Sequence, residues 1–504
     1  MKAKVIAHKD FTISKIDDRV YGAFLEHLGR AIYEGIYEPD HPSADKDGMR
    51  GDVIQLVKDL NVPVVRYPGG NFVSAYDWED GIGPREDRPT RLDLAWHTSE
   101  SNQVGIHEFA DWCATVGTEM MLAVNLGSRG VDDARNFLEY VNHPGGSYYS
   151  DLRIANGRKE PWNVKMWCLG NEMDGPWQVG HKDADEYGKL AANTARAMRM
   201  FDSSLELIVC GSSNSDMKSY PDWERIVLEH TYDHVDYISL HMYFFNPEKE
   251  TANYLTMAEK LDTYIETVAS TIKQVKAKKR SKRDVYISFD EWNVWYHSKE
   301  QDKALLAGNS GWPHAPGLLE DIYNFEDVLM VGLILNTFIR RSDVVKIAAI
   351  AQLVNVIAPI MTEKGGPAWA QTIYYPYYFA SIFGRGTALD LKVDTPTYDG
   401  KYGQNAGYVD VSGVYNEDEG TISFFLVNRH GTEAADVSLS LQGFGAGTVI
   451  DHQVMTHPNL EATNTASKQD EVKPRKGDGA AIADGNLSVS LPPYSYQMVR
   501  VKVG

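Results

Sequence analysis

The chain has 504 residues, 43% hydrophobic and 24% charged, the composition of a globular protein long enough for two or three domains. Its formal net charge of −20 argues against a nucleic-acid or anionic-membrane partner. Three cysteines, Cys113, Cys168 and Cys210, lack metal-type spacing and fit reduced thiols in a cytoplasm.

From the N-terminus, Met1 to Lys9 holds no apolar core of signal-peptide length. Residues 1–18 are strand-like. From about Arg19 to about Phe383, apolar runs of strand length alternate with stretches of helical period. Tyr21 to Glu26 is the first run. A helical face of Val53, Leu56, Val57 and Leu60 leads to the second, Asn61 to Tyr67. A helix over Phe109 to Val116 leads to the third, Met120 to Asn125, and the fourth ends at Glu172. The stripe Tyr187, Leu190, Ala191 and Thr194 precedes the fifth, Leu207 to Cys210. Tyr237 to His241 is the sixth. A long helical stretch from Tyr254 to Lys279 precedes the seventh, Val285 to Glu291, and Lys346 to Gln352 is the eighth. Such β-then-α alternation predicts a parallel sheet, and eight units predict a (β/α)8 TIM barrel over residues 19–383. A doubly wound open sheet is the competitor, disfavoured because no glycine-rich phosphate loop opens the first unit.

The basic run Lys273 to Arg283 ends a helix, where positive charge suits the dipole. The longest apolar run, Val328 to Ile339, is broken by Asn336 and stops at Arg340-Arg341, short of a membrane span. Together these features predict a soluble, cytoplasmic protein. After about residue 384 the texture changes to strict alternation, as in Val437-Ser438-Leu439-Ser440-Leu441, with Gly, Asn and Asp turns. Residues 384–504 therefore read as an antiparallel, jelly-roll-like β-sandwich, which residues 1–18 are expected to join. The polar segment Thr463 to Gly479 reads as an exposed loop.

The chemistry is predicted at the strand tips. Trp167-Cys168-Leu169-Gly170-Asn171-Glu172 and Ile287-Ser288-Phe289-Asp290-Glu291-Trp292-Asn293 are apolar runs that end in a carboxylate. In a parallel barrel, catalytic groups sit at the C-terminal tips. Two glutamates brought to one mouth are the minimal machinery for hydrolysing a glycoside. Other tips end in Glu26, Arg66, Asn71, His241, Tyr243 and Gln352, and carboxylates and amides supply the donors and acceptors that sugar hydroxyls need. For each of these the bland alternative is a loop anchor, and for Gly69-Gly70 a plain turn. Trp177 and Trp295 are candidate walls for a sugar ring, against a reading as ordinary packing. No group of His, Cys and carboxylates has metal-ligand spacing, and two glutamates suffice, so neither a metal nor another cofactor is expected.

The segments Arg66-Tyr67-Pro68-Gly69-Gly70-Asn71, Gly170-Asn171-Glu172-Met173-Asp174-Gly175 and Asp290-Glu291-Trp292-Asn293 resemble those of the α-L-arabinofuranosidases of glycoside hydrolase family 51. The resemblance spans essentially the whole chain. It implies retaining, exo-acting hydrolysis of terminal α-L-arabinofuranosyl groups from arabinose-containing oligosaccharides. It makes Glu172 the general acid/base and Glu291 the nucleophile. Glu26, Asn71, Asn171, Tyr243 and Gln352 would bind the furanose, with Arg66 and His241 in support. Trp96, Trp177 and Trp295 are loop residues expected on the aglycone side, which the resemblance places less securely. A homo-hexamer is also implied. The alternatives are a β-xylosidase or endo-β-glycanase on the same scaffold, which a panel of aryl glycosides would separate, and a non-catalytic carbohydrate-binding barrel, which has no need of two carboxylates.

Overall fold

The computed structural model of the protein describes residues 1–308 and 311–504. Eight strands form a closed, all-parallel barrel: β1 (Gly22–Phe24), β2 (Val64–Tyr67), β3 (Glu119–Val124), β4 (Met166–Leu169), β5 (Glu206–Cys210), β6 (Tyr237–Phe244), β7 (Tyr286–Val294) and β8 (Val345–Ala351). All eight predicted runs supply the strands, in order. β8 closes on β1 through Ala349 opposite Gly22 and Ala351 opposite Phe24. The strands read as continuous apolar runs because both faces are covered, by helices outside and by side chains within.

The helices form where apolar residues recur at helical spacing. Helix Gly51–Leu60 buries Val53, Ile54, Val57 and Leu60, and Asn61 ends it in the left-handed conformation at φ 48°. Asp183 caps helix Ala184–Phe201 by accepting from the backbone N–H groups of Asp185 and Glu186. The predicted helix over Tyr254 to Lys279 is two pieces, Thr251–Leu255 and Met257–Lys279, which meet at Thr256. Its basic end is structural: Lys276 pairs with Asp284, Lys278 with Glu229 and Lys279 with Asp233.

The barrel's interior is plugged below the mouth by Val64, Met121, Met166, Cys168, Ile208 and Ile347. Above this plug lie the polar side chains of the mouth; below it, at the N-terminal end, Arg19 pairs with Asp17 and Glu206. A short antiparallel hairpin, Arg91–Asp93 with Thr98–Glu100, leaves the loop after β2 and carries Trp96 at its turn. No alternation signalled it.

The C-terminal part packs two sheets against each other. The N-terminal strand Lys2–His8 lies parallel to Ala435–Gln442 in one sheet, and Thr12–Lys15 pairs with Thr387–Leu389 in the other. Ala3, Val5, Leu439, Phe424 and Val499 meet in the core between the sheets. The long apolar run is helix Phe325–Arg340, buried from Phe325 to Ile339. Asn336 does not break it. Its amide donates to Asp410 at 2.7 Å and accepts from Ser412 Oγ at 2.6 Å, tying the helix to the sandwich. No described helix is long and apolar enough to cross a membrane. The expected exposed loop Thr463 to Gly479 is partly anchored: Asn464 and Val472 are buried and hydrogen-bonded to each other, because Asn464 uses both ends of its amide on the backbone.

Candidate active site

Glu172 and Glu291 reach the barrel mouth by different local devices. Gly170, at φ 90°, turns the chain sharply after β4, and Glu172 itself adopts φ 41°. A left-handed glutamate is a strained conformation of the kind that persists at functional sites. Glu291 lies within β7, where one extra residue is accommodated against both neighbouring strands. Ser239 and His241 on β6 face Ser288 and Glu291, while Ala348 and Ile350 on β8 face Phe289 and Trp292. That bulge lets the consecutive Asp290 and Glu291 both reach the same histidine, which a regular strand forbids.

His241 links the carboxylates. Its Nδ1 lies 2.9 Å from Glu172 Oε1 and 3.6 Å from Glu291 Oε2, and its Nε2 lies 2.9 Å from Asp290 Oδ1. Burial opposes a charge on this ring, but Glu291, Asp290 and Glu172 outweigh it and raise its pKa to about 10. The imidazolium therefore donates from both nitrogens at neutral pH. Asp290 is fully buried and yet held below the usual carboxylate range, because Arg66, His241 and Ser239 offset its desolvation.

Each oxygen of Glu291 receives its own donor, Arg66 Nη1 at 2.7 Å on Oε1 and the Tyr243 hydroxyl at 2.7 Å on Oε2. Glu172 accepts from Trp177 Nε1 at 2.7 Å on Oε2. One oxygen from each of Glu172 and Glu291, together with one His241 nitrogen, lie within 4.8 Å of one another. Such a trio could hold a metal ion, and it was invisible to spacing because three separate strands contribute it. Arg66 and Tyr243 already bond both oxygens of Glu291, and His241 carries a proton on each nitrogen, so the donors as they stand do not favour one.

Glu26, Asn71, Trp96, Glu172, Tyr243, Glu291, Trp295 and Gln352 all line one cavity of about 540 Å³ at the mouth. Glu26 Oε1 accepts from the Phe72 backbone at 2.8 Å and from Trp96 Nε1 at 3.1 Å, while Gln352 Oε1 accepts from the Glu26 backbone at 2.8 Å. Burial pushes the Glu26 carboxyl up to about 8, with the charge of Glu291 adding to the shift. Gly70 is more than a turn residue: a Cβ there would lie 2.3 Å from Glu26 Oε2. Asn171 is buried, and its amide accepts from Arg66 at 2.6 Å and donates to Asn71 at 3.5 Å. It is not among the residues lining the cavity and supports Arg66 and Asn71 from behind. Trp295 packs edge-on against Tyr243 at 5.4 Å. Sequence reasoning passed over Asp290 as a support for His241 and Trp177 as a donor to Glu172. It also passed over Lys299, whose ammonium lies over the Trp295 ring at the cavity's edge. The Asp290-Glu291 pair was the one available signal, since two adjacent carboxylates at a strand tip are costly to bury without partners.

A parallel barrel that presents two glutamates, an arginine and a tyrosine around one cavity is the architecture of a glycoside hydrolase. The comparisons agree. The α-L-arabinofuranosidase 1 domain matches residues 56–269, and the α-L-arabinofuranosidase C-terminal domain matches residues 290–495. The second begins inside β7, so it marks no boundary of the fold. The chain is 53% identical to an intracellular exo-α-(1→5)-L-arabinofuranosidase of Halalkalibacterium halodurans and equally so to one of Bacillus subtilis, over 99% of each chain. Among solved structures, a family 51 α-L-arabinofuranosidase of Bifidobacterium longum superposes with a TM-score of 0.95 at 41% identity, covering 99% of both chains. The chain belongs to the α-L-arabinofuranosidases of glycoside hydrolase family 51.

Proposed function

We propose that the protein is a retaining, exo-acting α-L-arabinofuranosidase that removes terminal arabinofuranosyl groups from oligosaccharides by double displacement. The observation that carries the reading is the approach of the Glu172 and Glu291 oxygens to within 4.8 Å. Retaining enzymes hold their carboxyls about 5–5.5 Å apart, whereas inverting ones leave roughly 6.5–9.5 Å for a water.

In this reading Glu291 attacks the anomeric carbon. Arg66 and Tyr243 each bond one oxygen of its carboxyl group and hold it aimed. Glu172 gives its proton to the leaving oxygen and then takes one from the water that releases the sugar. The His241 imidazolium, held by Asp290, stands between them and fixes where both carboxyls point. Glu26, Asn71 and Gln352 receive the furanose hydroxyls, with Trp96 and Trp295 as walls and Asn171 steadying Arg66 and Asn71. Glu26, protonated near neutral pH, can both donate and accept.

The named activity of the relatives at 53% identity supports (1→5)-linked arabino-oligosaccharides as substrates, and their names support a place inside the cell. A Bifidobacterium longum relative at 47% identity is named an exo-α-(1→6) enzyme, so similarity at this level does not by itself set the linkage. The family resemblance supports assembly as a homo-hexamer. For the chain itself we propose residues 19–383 as the catalytic barrel and residues 1–18 with 384–504 as the sandwich module.

Glu172→Ala tests the acid role. We expect kcat/KM on arabino-oligosaccharides to fall by about 10²–10⁴-fold, and far less on a 2,4-dinitrophenyl arabinofuranoside, whose phenolate leaves unprotonated. Equal losses on both substrates would remove the role. Product analysis on a linear arabinan and a branched arabinoxylan oligosaccharide tests the substrate.

A further inference from the structure

The loop that carries Glu172 is fastened at a point the reaction itself does not use. Asp174, two residues on, is not among the residues lining the cavity and accepts from Ser213 twice, from its backbone N–H at 3.0 Å and its hydroxyl at 3.2 Å, both on Oδ2. Ser213 lies on the loop after β5, and it also lines the cavity. The adjacent Ser212 is fixed from behind. Its N–H donates to Glu224 Oε1 at 2.7 Å, and its carbonyl accepts from the Tyr264 hydroxyl at 2.8 Å. Glu224 is fully buried on helix Asp222–Thr231. The loop after β5 is therefore rigidly backed where Asp174 grips it.

On its own loop Asp174 has consequences for Glu172. The Gly175 N–H donates to the Glu172 carbonyl at 2.8 Å, and the Lys182 N–H donates to the Met173 carbonyl at 2.9 Å. Glu172 sits between the Gly170 turn and this fastened segment, at a left-handed φ that a free loop would relax. A half-buried carboxylate with two donors on one oxygen is a costly arrangement for a plain loop anchor, since its other oxygen, Asp174 Oδ1, is buried with no hydrogen-bond partner.

We propose that Asp174 is the positioning residue of the proton donor: by clamping the loop after β4 to the loop after β5, it sets how far the Glu172 carboxyl reaches toward the leaving oxygen. The proposal rests on Glu172 as the general acid. Because the clamp ends on a loop that also lines the cavity, it keeps donor and leaving group in register. Misplacing a catalytic group by about 1 Å is enough to cost up to 10²-fold.

The test compares kcat/KM on an arabino-oligosaccharide and on a 2,4-dinitrophenyl arabinofuranoside for the full-length enzyme and four variants. For Asp174→Ala we expect about a tenfold or larger loss on the oligosaccharide and less than about threefold on the activated substrate, because only the first needs the proton. Asp174→Asn keeps an oxygen for Ser213 and should restore both values to within about threefold. Ser213→Ala, which removes one of the two donors, should show a smaller loss with the same dependence on leaving group. It decides the matter if Asp174→Ala fails to fold. Glu172→Ala is the reference: if it shows no leaving-group dependence, the acid reading itself falls. If it shows the dependence and the Asp174 and Ser213 variants lose activity equally on both substrates, or not at all, the clamp is overturned.

Discussion

His241 is the residue at which the two glutamates and the buried Asp290 meet, and its charge has a measurable signature. Its folded pKa, about 10, lies above the value of about 6.5 for a free imidazole. A group raised on folding contributes stability in full below its unfolded pKa and loses it as pH rises through the folded one. The unfolding free energy of the wild type should therefore exceed that of His241→Gln most at pH 6 to 6.5, and the gap should narrow toward pH 10. Denaturant titrations at several pH values read this directly, and a gap that widened with pH would contradict the assignment. In the sequence, His241 was legible as a polar strand tip but not as a link. Its partners are 69 and 49 residues away in the chain, beyond β4 and on β7 respectively. Asp290 was hidden for a different reason. Beside Glu291 it should point to the opposite face of a regular strand, and only the bulge brings it round.

At the scale of elements, the eight strands could be read because each is an apolar run with both faces buried, and their tips because polarity there breaks the run. Gly69-Gly70 shows what such reading misses. A glycine kept for a close approach looks like a glycine kept for a turn until the neighbour is in view, and here the neighbour is the Glu26 carboxyl, 44 residues earlier in the chain. Gly70→Ala should displace Glu26 from its place against Phe72 and Gln352 and raise KM for arabino-oligosaccharides roughly tenfold or more, as misplaced binding groups do. Steady-state kinetics check it, and an unchanged KM would show that Glu26 does not bind the substrate. The hairpin that brings Trp96 to Glu26 was illegible, because strands of three residues carry too little alternation to register.

For the whole molecule, the chain's two ends are tied together, with Lys2–His8 running beside Ala435–Gln442. Helix Phe325–Arg340 is apolar nearly all round because the barrel covers one side and the sandwich the other, not because it meets lipid. Gly332 shows how closely they fit: a Cβ there would lie 2.7 Å from the Tyr496 ring. Truncation after residue 383 would strip that helix of its cover and leave Lys2–His8 without its partner strand. The truncated chain should be insoluble or markedly less stable, as the soluble fraction and its melting temperature would show. A soluble barrel of unchanged stability would make the sandwich a detachable module. The alternating sequence announced the sandwich itself. It could not announce the seam, since an all-round apolar helix reads alike whether it is covered by protein or by lipid.

In the proposed reaction Glu291 attacks the sugar, and Glu172 stands close enough to serve both halves. Proton NMR of the first arabinose released from an α-L-arabinofuranoside, recorded before mutarotation, tests it most directly. Double displacement predicts that the α anomer appears first and the β anomer only as the sugar equilibrates. A first-formed β anomer would mean direct attack by water, and would contradict the assignment of Glu291 as nucleophile.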